Sequence, residues 1–281
     1  MSRTLTLLLT VLAMLAFAGN SLLCRLALKH TSIDPASFTT VRLVSGALTL
    51  WLITRTRGQT APGRGNWPSA MALFVYAAGF SYAYVSLAAA MGALLLFGAV
   101  QATMIGYGLW LGERLLPRQW LGLICAFAGL AGLLLPGLSA PPLLGSVLML
   151  VAGVAWGVYS LRGKAAGDPI QVSSGNFLRA APMAMLLSLV TVSWSSVDMA
   201  GLGYALASGA LASGVGYAIW YTALRGLKAT SAATVQLSVP VLAAMGGVAF
   251  LGETVTWRLL LASAAILGGI ALVMFYKQAA R

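Results

Sequence analysis

Long apolar stretches follow one another along this chain, broken by short clusters of Gly, Pro and charge. Ten such runs can be drawn, near residues 5–28, 36–54, 67–87, 91–111, 118–136, 142–162, 172–194, 200–224, 230–251 and 256–276. Each approaches the ~20 residues that a helix needs to cross the hydrocarbon core. Within a run the apolar residues are continuous rather than alternating, which excludes a transmembrane β-barrel. The pattern predicts an all-α integral membrane protein with ten transmembrane helices. The first run begins with a basic residue and contains an Ala16-Phe17-Ala18 triplet resembling a signal-peptidase site. Its apolar character continues to about Leu28, so an uncleaved first membrane helix is expected.

Composition strengthens this reading. The chain is 60% hydrophobic and 8% charged, whereas soluble domains are roughly half apolar and a quarter charged. The net charge of +12 raises nucleic-acid binding, but the basic residues are scattered singly rather than gathered into a patch. They serve better as topology determinants. With the N-terminus in the cytoplasm, that side collects Arg3, Arg55, Arg57, Arg64, Arg114, Arg118, Arg162, Lys164, Arg225, Lys228, Lys277 and Arg281. The outer side receives only Arg25, Lys29 and Arg258, so both termini are expected to be cytoplasmic. Cys24 and Cys125 lie in unrelated apolar stretches and imply neither a disulfide nor a metal site. No metal, cofactor or obligate protein partner is expected; the lipid bilayer and a small-molecule substrate are.

The chain also repeats itself. Arg25 and Arg162 lie 137 positions apart, as do Arg42 and Arg179, Tyr84 and Tyr221, and Leu87 and Leu224. After a three-residue slip, Gly112/Gly252, Glu113/Glu253, Arg118/Arg258 and Gly129/Gly269 are 140 apart. The stretch PGLSAPPL from Pro136 reads as a linker, giving repeats at 1–138 and 139–281 that together form one transport domain. Five spans per half is an odd number, so the second half is inverted relative to the first. Inverted repeats are the architecture of many secondary transporters, with the substrate site at the midplane where the halves meet.

Two five-helix halves, each with Gly-Glu after its fourth helix, resemble the EamA-type drug/metabolite transporter superfamily. GNSLLCRLAL at 19–28 and IDPASFTTVRLVSGALTLW at 33–51 are similar to its exporter branch, in particular its bacterial aromatic amino-acid exporters. The resemblance implies a bacterial inner-membrane protein that exports amino acids from the cytoplasm by alternating access. It further implies a cavity formed by the first four helices of each half, with the fifth helices packed outside.

Several residues are candidates for that cavity. Asn20, Gln101, Asn176 and Gln236 are polar groups inside apolar runs, suited either to interhelical bonding or to binding the ends of an amino acid. Tyr76 and Phe80 recur along one face of the third run, Tyr82 lies deep in it, and Trp156 and Tyr217 lie in the second half. Such rings suit an apolar cavity, although a core stripe gives the same pattern. Tyr84 and Tyr221, nearer their run ends, are explained by the interfacial aromatic belt. Pro182 and Pro240, near the middle of their runs, are either packing kinks or hinges. Arg42 and Arg179 sit about two turns inside their runs. Each either snorkels to an interface or acts as a gate or carboxylate-binding charge.

The acidic residues complete the picture. Asp34, Glu113, Asp168, Asp198 and Glu253 all fall at run ends or in connections. No intramembrane carboxylate relay is visible, which favours facilitated efflux over built-in proton coupling. A Ser-His-Asp hydrolase is disfavoured for the same reason, and no enzyme activity is expected. Another small metabolite, a lipophilic drug or a channel-like pore stay open as alternatives. Gly112 and Gly252 are expected to end their helices, with Glu113 clamping Arg118 and Glu253 clamping Arg258 across the following turn.

Overall fold

A computed structural model describes residues 2–58, 64–112, 114–135, 137, 140–163, 168–227 and 235–279, with side chains described as far as Val273. Ten long helices follow one another among these residues. In the first half they are α1 (Arg3–His30), α2 (Pro35–Thr56), α3 (Trp67–Tyr84), α4 (Ala89–Trp110) and α5 (Pro117–Leu134). In the second they are α6 (Leu143–Gly163), α7 (Pro169–Val190), α8 (Met199–Leu224), α9 (Ser238–Leu251) and α10 (Trp257–Ala279). No strand occurs among the described residues. Six of the helices, α1, α2, α4, α5, α6 and α8, are long and apolar enough to cross a membrane. Ser238–Leu251 and Trp257–Val273 are shorter apolar helices. The ten-span expectation therefore reaches further than helix length and apolarity alone.

The few polar residues of the chain are spent on helix starts. Asp34 caps α2 by accepting from the Ala36 and Ser37 amides, both at 2.9 Å, and Pro35 follows it in the first turn. Asn66 caps α3 through the Ser69 amide, Asp168 caps α7 through Ile170, and Asp198 caps α8 through Gly201. A side-chain acceptor satisfies amides that have no partner in the first turn, and Pro is tolerated there because it brings none.

Helices of one half pack mainly on helices of the other. The pairings come in counterparts related by exchanging the halves: α3 with α6 and α8 with α1, α4 with α6 and α9 with α1, α3 with α7 and α8 with α2. Two pairings are their own counterparts, α2 with α7 and α5 with α10. That is the signature of an internal two-fold. The α5–α10 pair stands apart, touching the rest chiefly through α4. Its helices approach closely at Gly122 and Gly129, against Gly269, Ala265 and Ile266.

Two helices depart from the regular rods that the sequence suggests. α8 carries a π-helical segment over Ser208–Val215, of the kind frequent at functional sites. There Gly209 lets α2 come so near that a Cβ would fall on Ser45 Oγ and the Arg42 carbonyl. Gly209→Val is expected to lower stability by about 1–3 kcal/mol, as overpacking does; an unchanged melting temperature in detergent would contradict this contact. α9 begins only at Ser238, after a turn at Leu237. Pro240 thus lies in a first turn rather than in mid-helix, where its missing N–H would break the ladder. Pro182 is inside continuous α7, but its side chain is exposed on the bundle surface. Neither proline stands beside the central cavity.

Candidate substrate site

The cavity forms where α1, α3 and α4 of the first half meet α6 and α8 of the second. α1 contributes Phe17, Asn20 and Ser21, one face at helical spacing. α3 contributes Tyr76 and Phe80, α4 contributes Leu96 and Phe97, and the second half contributes Trp156, Ala212 and Tyr217. The rings touch in a chain: Tyr76 to Trp156 at 4.8 Å between centroids, Trp156 to Tyr217 at 5.3 Å, and Phe17 to Tyr217 at 6.0 Å. The free space is about 20 Å³, room for a water molecule but not for an aromatic ring. The cavity is occluded.

Behind two of these rings lies Arg42. Its residue exposure is 1%, so it does not snorkel. Nη2 donates to the Tyr76 hydroxyl at 3.0 Å and Nε to Ser213 Oγ at 3.4 Å. The guanidinium carbon stands 5.1 Å from the Tyr76 ring centroid and 4.9 Å from that of Phe80. Nη1 is buried with no hydrogen-bond partner among the described residues. The described acids are all at helix ends, three as caps and Glu253 just after α9. Cation–π contacts are worth ~2 kcal/mol when desolvated, and removing a guanidinium from water costs several. Arg42 is therefore a buried cation whose compensation is incomplete.

The other sequence candidates are distributed as follows. Asn20 joins the wall, donating to the Tyr76 hydroxyl at 3.4 Å and accepting from Ser208 at 2.7 Å. Gln101 is buried on α4 one turn beyond Phe97 and does not line the cavity. Asn176 is buried, but its side-chain oxygen accepts from the Asn66 amide at 2.9 Å, fastening the segment before α3 onto α7. Tyr82 projects off the Tyr76–Phe80 face toward Thr191. Gln236 is half-buried beside the Leu237 turn, outside the lining. Arg179, unlike its sequence counterpart Arg42, is half-buried and donates to its own helix at the Gly175 carbonyl, 2.8 Å. Tyr84, expected at an interface, is fully buried against Phe80 and Gly92. Phe17, Ser21, Leu96, Phe97 and Ala212 were not legible as site residues; only the Phe17–Asn20–Ser21 spacing carried a signal.

The turns depart from the expected clamp. Gly112 and Gly252 both have left-handed φ, 86° and 61°, as helix ends favour. Glu253, however, does not reach for Arg258. It pairs with Arg25 of α1 at 3.2 Å and accepts from the Ala89 amide at 2.8 Å. Arg25 also donates to the Tyr84 and Val85 carbonyls at 2.8 and 3.0 Å. Arg258 instead satisfies the Gly132 and Leu135 carbonyls at the end of α5. The reason is packing: α9 lies on α1 and α4, which bring a cation and an unpaired helix-start amide to the glutamate. Glu113 lies outside the described residues, so its pairing with Arg118 is not described either.

The same end of the bundle carries a second tie between halves. The Asp34 amide donates to Ser196 O at 2.8 Å, and Asp34 Oδ2 accepts from the Ser196 amide at 3.1 Å. Burial pushes the Asp34 carboxyl pKa up, but hydrogen bonds from Ser37, Ser196 and Ala36 outweigh it and hold the pKa below its ordinary value. A lowered folded pKa gives stability that is present above the unfolded pKa, about 3.9, and lost as pH falls through the folded value. The melting temperature is expected to fall below about pH 4, and Asp34→Asn should flatten that dependence. An identical acid limb in the variant would assign it elsewhere.

The opposite end is held differently. Arg162 Nε donates to Ser69 Oγ at 3.0 Å and its Nη2 to the Asn66 side chain at 3.3 Å. Thus the repeat-related Arg25 and Arg162 both pin an end of α3, one at its last carbonyls and one at its cap.

Comparison with known proteins decides the family. The model of the EamA-like transporter family matches residues 4–135 and again 143–275. The chain belongs to the EamA-like transporter family. This family member is 61% identical over 270 residues to an uncharacterised protein of Pseudomonas aeruginosa, covering 96% of this chain and 94% of that one. It is 35% identical over 159 residues to the threonine/homoserine exporter RhtA of Escherichia coli K12, covering 54% of this chain and 52% of the exporter. A solved crystal structure with 20% identity matches over the whole of both chains with a TM-score of 0.70, so the fold is shared. The EamA-family chain is accordingly a multi-pass membrane transporter rather than an enzyme.

Proposed function

We propose that the protein exports amino acids, aromatic and neutral ones above all, from the cytoplasm of a bacterium across its inner membrane by alternating access. The observation that carries this reading is the occluded cavity between the halves, walled by aromatic rings, with the buried Arg42 guanidinium behind Tyr76 and Phe80. Rings accept an apolar side chain, and a guanidinium matches a carboxylate. All ten helices span the bilayer, with both termini cytoplasmic and the five-helix halves of 1–138 and 139–281 inverted. This supports rocking of one half on the other. The ties through Arg25–Glu253 and Asp34–Ser196 then close the outer face. With the described carboxylates at helix ends, efflux runs down the substrate gradient.

A second reading follows from the exporter RhtA, whose substrates are small and hydroxylated. Counterflow in proteoliposomes separates the two. Saturable, trans-stimulated uptake of labelled phenylalanine or tryptophan supports the aromatic reading, and stimulation by threonine and homoserine alone supports the second. Uptake that is linear and indifferent to trans substrate would mean a pore and overturn both. Strong acceleration by an imposed proton gradient would overturn facilitated efflux.

A further inference from the structure

The two ends of an amino acid meet very different surroundings in this site. The spare hydrogen-bonding capacity around the cavity is mostly of donors. Arg42 Nη1 holds two N–H groups without a partner. The Tyr76 hydroxyl oxygen accepts from both Arg42 and Asn20. A phenol oxygen has two lone pairs, so what Tyr76 retains is its own O–H. The Asn20 carbonyl oxygen, the natural acceptor for an ammonium, already receives the Ser208 hydroxyl. Glu253, the described carboxylate with least exposure to solvent, is held by Arg25 and the Ala89 amide.

A carboxylate entering here meets a cation and unused donors. An ammonium meets a like charge from Arg42 and acceptors already engaged. In a medium of low dielectric both effects are amplified over their values in water.

We infer that the site recognises its substrate by the carboxylate and the ring, and that the α-ammonium is dispensable. The protein therefore also carries aromatic carboxylates lacking the amine, namely 2-oxo and 2-hydroxy acids of the same side chains. This rests on the reading of the cavity as an aromatic amino-acid site. It goes beyond that reading in extending the cargo to the deaminated class. A 2-oxo or 2-hydroxy oxygen supplies a further acceptor where the amine would sit, which suits the donor surplus.

The test needs no variant. Full-length protein in proteoliposomes is assayed by counterflow of labelled phenylalanine and of labelled 3-phenyllactate. Unlabelled phenylpyruvate, 3-phenyllactate, phenethylamine and phenylalaninamide serve as competitors. Phenylpyruvate and 3-phenyllactate are expected to compete within about tenfold of phenylalanine, a difference of at most ~1.4 kcal/mol, and 3-phenyllactate to be trans-stimulated itself. Phenethylamine and phenylalaninamide, which keep the ammonium and lack the carboxylate, are expected to do neither. Phenylalanine counterflow untouched by 3-phenyllactate would overturn the inference and leave the amino-acid reading standing, as would equal competition by all four. Transport of 3-phenyllactate without phenylalanine would uphold the carboxylate rule and overturn the amino-acid reading. Transport of neither would overturn both.

Discussion

Arg42→Gln is expected to lower saturable phenylalanine counterflow about 10- to 100-fold while raising, not lowering, the melting temperature in detergent. The first number follows from losing a charge-assisted hydrogen bond to a carboxylate, worth about 1.5–3 kcal/mol. The second follows from the surroundings of the guanidinium. Arg42 is buried to 1% exposure, has an unpartnered Nη1 and lacks an ion-pair partner among the described residues. Replacing a poorly compensated buried charge by a neutral group of similar length is often stabilising. A residue kept for structure gives the opposite pair of outcomes, a lower melting temperature with transport retained in the surviving fraction. That result would remove Arg42 from the site.

Glu253→Gln is expected to act at the other end of the scale. The Arg25–Glu253 pair joins the α9–α10 turn to α1, and through Ala89 and the Tyr84 and Val85 carbonyls to α4 and α3. Its side chains retain only 10% and 8% exposure. Breaking a buried pair by removing one partner costs about 3–5 kcal/mol. Glutamine keeps an acceptor for the Ala89 amide, so the loss should fall toward the low end of that range. A reporter stands next to the pair: Cys24 is fully buried. If the pair holds this end shut, Glu253→Gln in a Cys125→Ala background speeds labelling of Cys24 by a water-soluble maleimide severalfold. A lower melting temperature with unchanged labelling would make the pair a clamp and nothing more. Unchanged values of both would leave it no role.

What the sequence disclosed and what it hid divide along a physical line. Helix existence was legible because lipid imposes length and apolarity on every run. Asn20, Tyr76, Phe80, Trp156 and Tyr217 were legible because a polar atom or ring inside such a run is conspicuous, and all five line the cavity. Contacts between distant positions were not. Glu253 has an arginine five residues on, at Arg258, yet it takes one 228 residues away. Local spacing has no access to which helices α9 packs on. Arg42 and Arg179 show a further limit. Repeat-related in sequence, they stand in unlike places, one beneath the cavity rings and one folded back on its own helix. A shared ancestor equalises residues, whereas a single conformation of an alternating machine treats its two halves unequally.

The α5–α10 pair has a consequence for how the chain is made. The groove that Gly122 and Gly129 open on α5 is filled by Ala265, Ile266 and Gly269 of α10. α10 starts at Trp257, more than a hundred residues after α5 ends at Leu134. At translation rates of ~5–20 residues per second, α5 leaves the ribosome many seconds before its partner exists. Through that interval its glycine face is filled by acyl chains, and four more helices must be placed before the groove is closed. The last helix synthesised is thus the one that completes the first half, and biogenesis ends where the two halves are finally buttoned together.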